Sequence, residues 1–70
     1  MSVLKTTLRD LRKSKGLQQA DLAAFVGVRR ETIGNLENGK YNPSLKLAMD
    51  IAKVFNKTVE EIFFFEDDKE

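Results

Sequence analysis

Seventy residues without Cys or His exclude a disulfide framework, a thiolate metal site, a cysteine nucleophile and the commonest neutral-pH acid–base group. That length supports one core, so residues 1–70 read as a single domain that relies on packed helices or on association between chains. The formal charge of +1 conceals a split, a net +4 over residues 1–40 and a net −3 over 41–70, which suits a polyanion held on one side. An ordinary solvated mixture of charges is the alternative. No apolar run reaches signal-peptide or membrane length, which fits a cytoplasmic protein with no membrane partner.

Val3 and Leu4 precede any helical pattern. Thr6 or Thr7 is placed to cap a first helix of about ten residues that runs to Lys15, with Leu8 and Leu11 toward the core and Arg9, Lys13 and Lys15 toward solvent. Gly16 ends it, and Leu17 can fold back as the accompanying apolar contact. Gln18 is a poor cap for the second helix, but Asp21 can reach back to the Gln18 amide, and Leu17 and Leu22 are placed as a hydrophobic staple. Leu22, Ala23 and Val26 form the apolar face of that helix. Gly27 can take φ > 0 and turn the chain into a third helix that starts near Arg29 and stops at Asn38-Gly39. Val28, Ile33 and Leu36 continue the apolar face, and Ala23 is small where the two helices would cross.

A loop over 40–43 leads to Ser44, the cap of a fourth helix whose wide apolar pattern comprises Leu45, Leu47, Ala48, Ile51, Ala52, Val54 and Phe55. Asn56 can end it in the left-handed region. Thr58-x-x-Glu61 is a capping box for a short fifth helix through about Phe63. Residues 64–66 read as extended and 67–70 as a solvated acidic tail, leaving a core of about 6–63. The reading is all-α with five helices.

The two helices meeting at Gly27 have the spacing of a helix-turn-helix, whose second helix lies in the DNA major groove. Arg30, Glu31, Gly34, Asn35 and Asn38 share one face of that helix, with Arg29 at its entrance. Arg can present two donors to guanine, a carboxylate can accept from cytosine, and Asn can pair with adenine. A plain exposed polar face is the alternative, Glu31 then merely favouring a helix N-terminus. Gly34 costs about 1 kcal/mol relative to Ala, and only a helix pressed close to a groove gains from it. Gln19 begins the second helix, where free amides and the dipole suit a phosphate.

These residues, with Thr32, Glu37, Gly39, Lys40, Pro43 and the segment through Phe55, resemble the Cro/CI or XRE family of phage repressors and small bacterial regulators, over roughly 8–63. Gln18 and Arg29 depart from the Ser or Thr frequent at those positions. The resemblance implies base reading by Arg29, Arg30, Glu31 and Asn35, and phosphate contact by Gln19, Asn38, Gly39 and Lys40. It also implies a buried structural ion pair between Arg12 and Glu37. The expected function is a transcriptional regulator of bacterial, phage or plasmid origin, acting as a repressor and as a homodimer on a palindromic operator in double-stranded DNA. An antitoxin with a toxin partner, a restriction-modification controller and a protein-interaction module are the rivals. No enzymatic reading survives, since Glu60-Glu61 and the acidic tail need no chemistry to explain them, and no cofactor or metal is expected.

Ile62 to Phe65 are consecutive apolar residues that one small core cannot all hide. Some small members of the family pair their termini as a β-ribbon. Val3-Leu4 is therefore expected to pair with Phe64-Phe65, and Phe63, Phe64 and Phe65 to form a two-fold interface with part of the fourth or fifth helix.

Overall fold

A computed structural model describes residues 2–40 and 42–67. The chain runs β1 (Ser2–Thr6), α1 (Leu8–Ser14), α2 (Gln19–Val26), α3 (Arg30–Glu37), α4 (Leu45–Phe55), α5 (Val59–Ile62) and β2 (Phe63–Asp67). Among the described residues these are the five expected helices and a terminal two-stranded sheet.

The first helix is shorter than its sequence pattern predicts, seven residues ending at Ser14 with Lys15 as C-cap. Its start is set by bonds across the molecule. Thr6 Oγ1 accepts from the Leu8 amide at 3.1 Å and donates to the Ile62 carbonyl at 2.7 Å. Thr7 Oγ1 donates to the Glu61 carbonyl at 2.9 Å instead of capping the helix. The far end closes as predicted, the Gly16 and Leu17 amides donating to the carbonyls of Lys13 and Arg12.

The Asp21 carboxylate accepts from the Gln18 amide at 2.8 Å, which supports the start of α2. Gly27, at φ 73°, ends α2, and the Val28 amide donates back to Ala23 at 3.0 Å. The turn packs α3 against α2, and Ala23 is buried in the core. Ser44 Oγ accepts from the Leu47 amide at 3.1 Å, and Asn56 ends α4 at φ 54°. Both halves of the Thr58–Glu61 capping box are made, at 2.8 and 3.2 Å.

Leu8, Leu22, Ile33, Leu36, Ile51 and Ile62 are the largest fully buried side chains and join all five helices in one core. Each contributes roughly 1.5–3 kcal/mol by leaving water. Leu45, expected in the apolar face of α4, is instead 74% exposed at the first position of that helix.

The fifth helix stops at Ile62, since Phe63 is already extended and opens β2. β1 and β2 are antiparallel, with Val3 opposite Glu66, Leu4 opposite Phe65 and Lys5 opposite Phe64. Asp67, expected in a solvated tail, belongs to the strand, and residues 68–70 lie outside the described residues. Phe63 is 7% exposed and packs in the core of its own chain, which corrects its expected place in an interface. Phe64 and Phe65 remain the exposed pair.

Candidate nucleic-acid interface

The sequence of α3 divides by helical period into two faces. Ile33, Leu36 and Glu37 are buried, while Arg30, Glu31 and Asn35 are exposed, with Arg29 exposed at the N-cap. All four residues predicted to read bases therefore lie on one open surface. Arg29 makes no side-chain cap, as its departure from Ser implies.

The helix ends in a turn that depends on Gly39. The Gly39 and Lys40 amides donate to the carbonyls of Leu36 and Asn35 at 3.1 and 2.9 Å. Gly39 sits at φ 69°, and a Cβ there would lie 3.0 Å from the Leu4 carbonyl oxygen. Both the positive φ and the close carbonyl favour glycine here. Lys40 and Asn38 are exposed beside this turn. Gly34 faces Gln19, where an added Cβ would meet the side-chain amide at an ordinary 3.8 Å.

Behind the open face lies a charged cluster. Arg12 Nε donates to Glu37 Oε2 at 2.6 Å and Nη2 to Oε1 at 3.2 Å, while Nη1 caps the Leu17 carbonyl at 2.9 Å. Both residues are 8% exposed, so the expected pair is buried and ties α1, α3 and the turn before α2 together. Burial pushes the Glu37 carboxyl up, but donors from Arg12 and Gln19, the Arg12 charge and the Arg9 donor outweigh it and hold the group below its ordinary value. The Glu37 hydrogen bonds raise Arg12 against the opposing pull of burial. Every buried side-chain nitrogen and oxygen among the described residues has a partner.

Two contacts in this cluster escaped the sequence pattern. Arg9, expected to reach solvent, is only half exposed and donates from Nε to Glu37 at 3.4 Å and from Nη2 to Asn38 Oδ1 at 2.8 Å. Its i, i+3 spacing from Arg12 on one helix face was the available signal. Gln19 does not stand free at the start of α2. Its Nε2 donates to Glu37 Oε1 at 3.1 Å and its Oε1 accepts from Arg30 Nη1 at 2.9 Å. Among the described residues there is no metal-holding group of acidic side chains, and no helix is long and apolar enough to cross a membrane.

A helix-turn-helix family profile matches residues 8–62. An uncharacterised HTH-type transcriptional regulator of the archaeon Archaeoglobus fulgidus is 53% identical over 66 residues, 94% of each chain. A competence pilus inhibition repressor of Acinetobacter baylyi is 41% identical over 56 residues, 80% of this chain and 51% of that one. Among solved structures, the restriction-modification controller protein C.AhdI of Aeromonas hydrophila superposes with a TM-score of 0.70 at 37% identity, over 77% of this chain and 82% of the other. With the helix-turn-helix in place and these similarities along nearly its whole length, the chain belongs to the XRE-type (Cro/CI) helix-turn-helix family of DNA-binding transcriptional regulators.

Proposed function

We propose that this single-domain cytoplasmic protein represses transcription by binding a palindromic operator as a homodimer. The observation that carries the reading is the division of α3, with its apolar face in the core and Arg29, Arg30, Glu31 and Asn35 exposed together. Arg30 meets a guanine edge with two donors, Asn35 meets adenine, and Glu31 accepts from cytosine. Lys40, the Asn38 side chain and the backbone at Gly39 contact phosphates. Gln19 contributes its backbone amide, which at the first turn of α2 has no intrahelical partner. Asn38 is suited to its role because Arg9 occupies its carbonyl oxygen, leaving the NH2 end outward as a donor.

The partner copy docks on the exposed Phe64 and Phe65, of which Phe65 shares a groove with the exposed Leu45 of α4. Two-fold symmetry then sets the two α3 helices in successive major grooves, about 34 Å apart. Occlusion of polymerase is the simplest consequence of binding at a promoter. The likeness to C.AhdI favours a second reading, control of a restriction-modification operon through the same interface.

Selection of bound sites from random duplexes, with the solution mass measured in parallel, tests this. The expected result is an inverted half-site repeated about 10 bp centre to centre and the mass of a dimer. An unenriched pool, or a single asymmetric site bound by a monomer, would contradict it.

A further inference from the structure

The Glu37 carboxylate accepts more than the hydrogen bonds that lock α1 to α3. Beside the two from Arg12 and one from Arg9, it takes one from Gln19 Nε2 at 3.1 Å. An ionised carboxylate accepts and never donates, so Gln19 can face it only with its NH2 end. That choice turns Oε1 toward the open face, where Arg30 Nη1 donates to it at 2.9 Å. The reversed amide would set NH2 against guanidinium and carbonyl oxygen against carboxylate. Each contact therefore excludes the same wrong orientation.

We infer that Glu37 and Gln19 are positioning residues for Arg30: Glu37 orients the Gln19 amide, whose oxygen holds the Arg30 guanidinium ready for a base edge. The inference rests on the reading of Arg30 as a base-contacting residue. A guanidinium has five N–H donors, and Gln19 takes one, which leaves a two-donor edge free for guanine. A long side chain already ordered loses less freedom on docking than one that must be gathered from many rotamers. Gly34 belongs to the arrangement, since it lies against the Gln19 amide at ordinary contact distance and leaves that side chain its place.

The test compares Gln19→Leu, Arg30→Ala, and the double variant Arg12→Met with Glu37→Leu. Each is titrated with the selected operator and with a duplex altered at the base pair assigned to Arg30, and thermal unfolding is followed by circular dichroism. Gln19→Leu leaves the Arg12–Glu37 pair intact, so it decides the matter even where the double variant unfolds. Gln19→Leu and the folded double variant are expected to lose discrimination between the two duplexes by about tenfold. In an Arg30→Ala background, Gln19→Leu should change discrimination by less than about twofold, as for residues acting through one contact. Full discrimination in Gln19→Leu, with loss in Arg30→Ala, overturns this inference and spares the base-reading role of Arg30. So does equal weakening on both duplexes with a shallower salt dependence, which would make the Gln19 side chain a phosphate contact. Unchanged discrimination in Arg30→Ala overturns both.

Discussion

Arg12 and Glu37 show why a buried ion pair is judged by what its loss leaves behind. Arg12→Met leaves a carboxylate that is 8% exposed with only its Arg9 and Gln19 donors, and the expected cost is up to ~3–5 kcal/mol in a urea titration. Replacing both residues with apolar ones of similar volume should be nearly neutral. Sub-kcal losses from single and double variants alike would show that the pair carries little. The same carboxyl makes stability depend on pH. Its folded value lies below the ordinary 4.5, so its contribution is full above that value and is lost as pH falls through the lower folded value. Glu37→Gln should flatten the dependence of unfolding free energy on pH below about 4.5, and an unchanged slope would assign the acid lability elsewhere. Two glycines should respond in opposite ways. Gly39→Ala meets positive φ and the Leu4 carbonyl, and should cost about 1–3 kcal/mol. Gly34→Ala meets only an ordinary contact and should stabilise the fold by up to ~1 kcal/mol. The Arg12–Glu37 pair was legible in the sequence because both residue types stand where the family places them. The Arg9 and Gln19 contacts were not, because neither helical period nor motif says which way an amide turns between two charged partners.

At the scale of elements, local chemistry gave most of the boundaries. Gly16, Gly27, Asn56 and the Thr58–Glu61 box end or start helices where their conformational preferences predict. The start of α1 falls after Thr7, as the sequence predicts, but the partners of the two threonine hydroxyls were not legible, because they bond to carbonyls 56 and 54 residues away. Nor was the burial of Phe63, since four consecutive apolar residues carry no alternation to say which one turns inward. Those contacts make α5, only four residues long, the clasp between the chain's ends. The Thr58 hydroxyl accepts from the Glu61 amide at 3.2 Å, and Thr58→Ala should cost about 0.5–2 kcal/mol, read by thermal unfolding. The expected signature is loosening of β1 together with α5 in amide exchange, because the Thr7 amide and both threonine hydroxyls donate to carbonyls of residues 61 and 62. Loosening of α5 alone would show that the clasp is not shared.

For the whole molecule, the basic half of the chain carries the open face of α3, and the acidic half carries the exposed Phe64 and Phe65. Phe64→Glu with Phe65→Glu should sediment as a monomer at micromolar concentration and bind the operator weakly, because one half-site then carries the whole affinity. A variant that still dimerises and binds normally would remove the aromatic pair from the interface. That α3 reads base sequence is tested most directly by titrating Arg30→Ala and Lys40→Ala across a salt series, against the operator and a duplex altered at one base pair. Arg30→Ala should lose about 1–3 kcal/mol on the operator and little on the altered duplex, while Lys40→Ala weakens both alike and flattens the salt slope by about one. An Arg30→Ala protein that keeps the parent's discrimination at every base pair would contradict the assignment.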